Sequence, residues 1–248
     1  MESKHDNLLG NEHSGPLYSQ IQQKILQALE QGFWQPGDLI PSEFELATKF
    51  EVSQGTVRKA IDELVARHIL IRKQGSGTFV ATHQEERSKY RFLHIVNSDG
   101  LIEDSSNTIL GCTQQKVPLL VQGVFSLGED DSVIHIQRLM SFRDKPVVLE
   151  DIWLPIQFFE GLHLDLLKSW SGTMYGLFEN HFGIHMVKAH EQIRAVLASE
   201  TTQKFLDVNS GTPVLEIFRI AFTYGDRAVE VRKAQCLTED YHYFNLLS

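Results

Sequence analysis

The sequence is short of cysteine, of positive charge and of long apolar runs, and each shortage closes off a class of function. Its two cysteines, Cys112 and Cys236, cannot build a disulfide framework, so a reducing cytoplasm is expected. No apolar run nears the roughly 20 residues that a bilayer-spanning helix needs. The polar start Met1–Glu12 has no basic segment followed by an apolar one, so no secretory signal and no membrane association are expected. With 32 Asp+Glu against 23 Lys+Arg the net charge is −9, which argues against indiscriminate polyanion binding. The acidity is uneven, however. Residues 1–91 hold 11 Lys/Arg and 12 Asp/Glu, whereas residues 92–248 hold 12 and 20. A near-neutral N-terminal part can still carry a basic face, because binding follows local clustering.

Catalytic signatures are also missing. There is no G-x-S-x-G elbow, no P-loop and no H-E-x-x-H, and Gly75-Ser76-Gly77 is too short for a dinucleotide fingerprint. His181, His185, His190 and Glu191 have metal-like spacing, but Gly183 interrupts them and no Cys or Asp completes a tight set. The expectation is no metal, no cofactor and no enzyme activity.

What is present begins after a polar stretch, residues 1–15, read as a flexible tail. Leu17, Ile21, Ile25 and Leu29 recur at helical spacing up to Gly32, and Pro36-Gly37-Asp38 reads as a turn. Ser42 with Glu45 three residues on is a capping box opening a second helix, with Leu46, Ala47 and Phe50 on its buried side. Ser53 caps a third, whose apolar face is Val57, Ile61, Leu64 and Val65. Ile69–Lys73 and Thr78–Val80 follow as short strands joined through Gly75 and Gly77. Three short helices and a glycine hairpin outline a winged helix-turn-helix over 16–82. The charged stretch 83–91 reads as a linker.

A recognition helix needs a polar first turn to reach base edges in the major groove. Gln54, Gly55, Arg58 and Lys59 fall opposite Val57, Ile61 and Leu64. Arg58 suits a guanine, Gln54 an adenine, and the hydroxyls of Ser53 and Thr56 suit phosphates beside the helix N-terminus. Arg72 and Lys73 precede Gly75 and Gly77, whose lack of side chains lets backbone approach the sugar-phosphate. By itself an Arg-Lys pair is most often a solvated helix face; the ordered helices and hairpin around it favour DNA.

These residues carry a resemblance. Pro16-Leu17-Tyr18, Gly37-Asp38, Pro41-Ser42-Glu43, Val52-Ser53, Thr56-Val57-Arg58 and Gly75–Val80 resemble the GntR family of winged-helix regulators. The resemblance implies DNA contacts from Ser42, Glu43, Ser53, Gln54, Gly55, Thr56, Arg58, Lys59, Arg72, Lys73, Gly75, Ser76 and Gly77. Gln54 and Phe44 stand where the family commonly has Arg, which implies a shifted operator preference.

In the second part, strand-like runs fall at 117–125, 133–142, 147–153, 187–196, 213–224 and 228–237, and helical patterns at 162–168, 174–182 and 201–206. Such a mixture points to an α+β domain, 92–248, on a largely antiparallel sheet. Ile136-Gln137-Arg138, Asp144-Lys145-Pro146, Val148-Leu149-Glu150, Gly172–Tyr175, Gly211–Leu215 and Ala228-Val229-Glu230 resemble the UTRA effector domain of the HutC branch, which has the chorismate lyase fold. That implies effector contacts from Arg138, Glu150, Thr173 and Glu230. Read without the resemblance, Arg138, Glu150 and Glu230 are charges among apolar strand residues, which need a partner: either each other or a ligand. Met140 stands where sugar-phosphate-binding members have Arg, and Cys236 where they have Tyr. A small carboxylate or amino-acid derivative is therefore favoured over a phosphosugar.

The expectation is a cytoplasmic homodimer that binds a palindromic double-stranded DNA operator and releases it when a small-molecule effector occupies the C-terminal domain. Two other classes remain: a C-terminal domain that only dimerises, and one that retains lyase-like activity. A shared fold does not confer the latter.

Overall fold

In the computed structural model, residues 15–83 and 94–245 are described; the expected tail to residue 14 and the linker from residue 84 to 91 lie outside them. The chain divides into two compact units, Met1–Thr82 with Thr223–Arg227, and His83–Phe222 with Ala228–Ser248.

The first unit contains α1 (Leu17–Glu30), α2 (Glu43–Phe50), α3 (Gln54–Ala66), β1 (Leu70–Lys73) and β2 (Gly77–Val80). Local chemistry sets these boundaries. Ser42 and Glu45 form the reciprocal capping box at α2, and Glu51 ends that helix in the left-handed region with φ 55°. Ser53 caps α3 by accepting from Thr56 N. Ile25, Leu46, Ala60, Ile61 and Leu64 are fully buried and form the small core. The hairpin gains a third element, because Ile40 N donates to Thr78 O at 2.9 Å and Val80 N to Asp38 O at 2.9 Å.

The second unit contains β3 (Ile95–Asn97), β4 (Ser105–Lys116), α4 (Leu119–Phe125), β5 (Ser132–Phe142), β6 (Lys145–Pro155), α5 (Leu164–Ser169), α6 (Met174–Phe182), β7 (Lys188–Leu197), α7 (Glu200–Leu206), β8 (Pro213–Phe222), β9 (Ala228–Cys236) and β10 (Tyr241–Tyr243). Six strands form one sheet in the order β4-β5-β6-β9-β8-β7, every neighbouring pair antiparallel. The fold is α+β, with α5 and α6 packing Leu167, Leu177 and Phe178 on one sheet face against Ile136, Ile152 and Leu154. On the other face Val121 of α4 packs with Val133, Trp153 and Val231. Among the described residues no helix is long and apolar enough to cross a membrane.

Several segments differ from the sequence reading, among them the short strands β3 and β10, which pair with each other and were not anticipated. Residues 119–125, read as part of a strand, form α4. Pro118 at the cap supplies a preset φ and lacks an amide to add to a ladder, and a short apolar run does not by itself distinguish helix from strand. The twelve-residue β4 was not anticipated. It is an edge strand with no buried residue, and its largely polar sequence carries no apolar alternation.

Candidate DNA-binding face and effector cavity

On α3, Val57, Ala60, Ile61 and Leu64 are buried, whereas Gln54, Gly55, Arg58 and Lys59 are exposed. The polar face therefore points away from the core of this unit, as a groove-reading helix requires. Ser53 Oγ and Thr56 Oγ1 lie 2.9 Å apart at its start. The hydroxyl of Ser42 is committed to the Glu45 carboxylate at 2.7 Å. In the wing, Gly75 and Gly77 have φ 73° and 116°, and a Cβ on Gly77 would meet Leu39 Cδ1 at 2.6 Å. Ser76 N donates to Lys73 O at 2.9 Å and closes that turn.

The cations of this face are held rather than loose. Glu43 accepts from Arg58 Nε at 2.9 Å and from Arg72 Nη2 at 2.8 Å, so one carboxylate joins α2, α3 and β1. Arg72 Nη1 also reaches Asp62 at 2.8 Å. Lys59 Nζ lies 3.8 Å from the centre of the Tyr18 ring, and Lys73 Nζ 5.1 Å from that of Phe79. Exposed ion pairs contribute only about 0–1 kcal/mol each. Their effect here is orientation: the carboxylate fixes the direction of two guanidinium groups and can yield them to phosphate or base acceptors.

In the second unit a cavity of about 580 Å³ opens between the sheet, β4 and the α5–α6 connection. Its floor is a row of charges. Arg138 of β5 lies opposite Glu150 of β6, and Arg219 of β8 lies opposite both Arg232 of β9 and Glu191 of β7. Arg138 Nε donates to Glu150 Oε2 at 2.6 Å, and Arg232 Nη1 to Glu150 Oε1 at 3.0 Å. Arg232 Nη2 also reaches Glu230 at 2.9 Å, and Arg219 pairs with Glu191. All four cavity-lining charges of this row, Arg138, Glu150, Arg219 and Arg232, are buried.

Burial alone would raise the pKa of Glu150, but Arg138 and Arg232 more than reverse this and hold it at about 2. Tyr175 donates to Glu230 Oε1 at 2.9 Å, and burial followed by the Glu230 charge pushes its hydroxyl up to about 12. Burial, then the Glu150 charge, pushes the Cys236 thiol up to about 12. The floor therefore carries fixed charges at neutral pH.

Of the effector candidates, Arg138, Glu150 and Thr173 line the cavity. Glu230 is fully buried behind the wall, and its carboxylate supports Tyr175 and Arg232. The Thr173 hydroxyl is taken up by Gly176 N at 2.9 Å, capping α6. Met140 lines the cavity 3.8 Å from Arg138 Nη2, whereas Cys236 lies in the apolar core beside it. The sequence reading missed Arg219, Arg232 and Tyr175. The two arginines gave the same signal as Arg138, a charge inside an apolar strand run.

His181, His185, His190 and Glu191, whose spacing alone is metal-like, are not drawn together into one cluster. His181 lies edge-on to Trp170 with centroids 5.6 Å apart, while Glu191 is the partner of Arg219. His83, Glu179 and His185 instead form the trio whose donor atoms lie within 4.8 Å of one another. The Glu179 carboxylate accepts from His83 N at 2.9 Å and lies 2.8 Å from His185 Nδ1.

Residues 17–80 match the profile of the bacterial regulatory proteins of the gntR family, and residues 103–242 match the UTRA domain. The chain is 28% identical to the mannosyl-D-glycerate transport/metabolism system repressor of Escherichia coli (strain K12), over 92% of this chain and 94% of that protein. It is 30% identical to a Shigella flexneri protein designated a probable fructoselysine utilization operon transcriptional repressor, over 89% and 90%. A solved ligand-binding domain from Bordetella bronchiseptica, described as part of a GntR-family transcriptional regulator, superposes with a TM-score of 0.61. It is 40% identical, covering 64% of this chain and 99% of that one. The chain belongs to the GntR family of bacterial transcription regulators, in the HutC-type branch that carries a UTRA domain.

Proposed function

We propose that this chain is a cytoplasmic, homodimeric repressor of a metabolic operon, released from a palindromic operator by an anionic small molecule bound in the second unit. The observation that carries the effector half is the open floor. A row of charges serving structure alone would be closed over by packed side chains, whereas Arg138, Glu150, Arg232 and Arg219 face a cavity of about 580 Å³. Of the charges in this row three guanidinium groups and only one carboxylate, Glu150, line the cavity, because Glu191 and Glu230 pair with the arginines from outside the lining. This imbalance favours an anion there, and the first turn of α6 at Thr173–Tyr175 adds the positive end of a helix. Met140 in place of a further arginine disfavours a phosphate, which takes several donors.

The volume exceeds what a bare small acid fills. Relatives are named for mannosyl-D-glycerate and for fructoselysine, in each of which a sugar is joined to a carboxylate-bearing unit. A carboxylate-bearing sugar or amino-acid conjugate therefore suits this chain better than a phosphosugar. On the DNA side, the outward face of α3 and the glycine wing supply base and phosphate contacts from residues 53–59 and 72–77. Two-fold symmetry of a dimer requires inverted half-sites.

The test is a thermal-shift panel on the full chain with mannosyl-D-glycerate, fructoselysine, amino acids and their phosphorylated sugar counterparts, followed by release from an operator found by selection. A shift of several degrees with a carboxylate conjugate, and release at the same concentrations, is the expected result. No shift with any compound would leave the second unit as a dimerisation module only. A preference for the phosphorylated compounds would overturn the effector class.

A further inference from the structure

We propose that α6 couples the cavity to the point where the chain enters the second unit: Thr173, Gly176 and Glu179 seat the backbone of His83, and Tyr175 links that seat to the charged floor. This rests on the effector reading above and adds how an occupant would be sensed.

His83 directly follows Thr82, the last residue of the first unit's main segment. Both polar groups of its backbone are directed at one helix. His83 N donates to Glu179 Oε2 at 2.9 Å, and the Thr173 hydroxyl lies 3.4 Å from His83 O. Gly176 lies between those two on the same helix face, since residues three apart align on a helix. A Cβ there would meet His83 O at 3.7 Å, an ordinary contact, and Thr173 Oγ1 at 3.1 Å, a tight one, so Gly176 lies against both the His83 backbone and the capping hydroxyl. The ring is held too. His83 Nε2 lies 2.9 Å from Met186 O, and the rings of His83 and His185 are tilted with centroids 4.5 Å apart. His83, Glu179 and His185 are all buried, so this is an interior contact and not a surface one.

The start of the same helix belongs to the cavity wall through Thr173, Met174 and Tyr175. Tyr175 has one end in each place. Its hydroxyl bonds Glu230 of the charged cluster at 2.9 Å, and its ring lies edge-on to the His83 ring at 5.6 Å. An occupant that draws on Arg232, or presses on the first turn of α6, displaces Tyr175 and Thr173. The seat of His83 then shifts with them. A packed helix moves as a body, because close-packed interiors transmit displacement instead of absorbing it.

The deciding experiment needs no effector. Amide hydrogen exchange at His83 is followed at residue level in the full chain for the wild type, Glu179→Gln and Tyr175→Phe. Glu179→Gln replaces the charged acceptor and is expected to speed exchange at His83 at least tenfold. Tyr175→Phe removes only the hydroxyl, at the cavity end, and is expected to speed it at least threefold with β5, β6 and β9 unchanged. If Glu179→Gln does not fold, Tyr175→Phe alone decides. Unchanged exchange at His83 in Tyr175→Phe overturns the coupling, and unchanged exchange in a folded Glu179→Gln overturns the seat. A thermal-shift panel without a ligand would sink the effector reading yet leave these rates to stand or fall separately.

Discussion

Arg58 Nε donates to Glu43 at 2.9 Å, which ties the outward face of α3 to the first residue of α2. The same carboxylate holds Arg72 at 2.8 Å, so an acidic residue stands at the centre of the face proposed to meet DNA. Its negative charge weakens attraction to phosphate while it orders two arginines, a trade of raw affinity for direction.

Replacing that carboxylate should reverse the trade. Glu43→Ala is expected to strengthen binding to random duplex and steepen the dependence of log K on log salt by about one unit. The ratio of operator to non-operator affinity should fall at the same time. Competition titrations between 50 and about 200 mM salt read both quantities. A weaker, equally selective protein would mean that Glu43 contacts DNA directly.

Arg58→Ala tests base reading. A guanidinium that reads a base edge contributes about 1–3 kcal/mol and confines its effect to one position of the site. The expected outcome is relaxed preference at a single base pair in each half-site, measured with a set of single-substitution operators. A uniform loss across all of them would reassign Arg58 to a phosphate.

Glu150 gives the fold a pH signature. Its pKa is held at about 2 against an ordinary 4.5, so its stabilisation is complete above 4.5 and is lost as pH falls toward 2. Glu150→Gln leaves Arg138 and Arg232 without their shared counter-charge, at a cost of about 3–5 kcal/mol near neutral pH. The difference in Tm between wild type and variant should then shrink steadily below pH 4.5. An equal difference at pH 7 and at about pH 3 would show that Glu150 does not carry its charge in the fold.

Asn107 tests the cavity without disturbing the charged floor. It lies exposed on β4 and lines the cavity mouth. Asn107→Ala should change stability by less than about 0.5 kcal/mol and reduce the thermal shift produced by any effector found in the panel. A full-sized shift would place the occupant deeper, against Arg138 and Thr173.

Gly77→Ala probes the wing. With φ at 116° and Leu39 Cδ1 in the path of a new Cβ, the substitution should cost about 1–3 kcal/mol, read as a lower melting point of the first unit. Adding Leu39→Ala should recover only the contact part and leave the backbone strain.

Much of the first unit was legible because its signals are local. Ser42 with Glu45, Ser53 with Thr56, and Gly75 with Gly77 lie within a few residues of one another. Capping and turn chemistry act over that range. In the second unit the apolar runs located β5 through β9, but β4 was hidden by its solvent-facing edge position and α4 by an apolar run that reads equally well as strand.

The amino-acid order alone settled where the helices of the first unit start, which way α3 turns its polar side, and that Arg138, Glu150 and Glu230 need partners. Which charges meet was decided only by folding. Arg138, Glu150, Arg219 and Arg232 come together through strand pairing across 94 positions of chain, and Glu43 meets Arg72 29 positions away. Such pairings follow from the register of the whole sheet and the packing of helices on it, which no local pattern encodes.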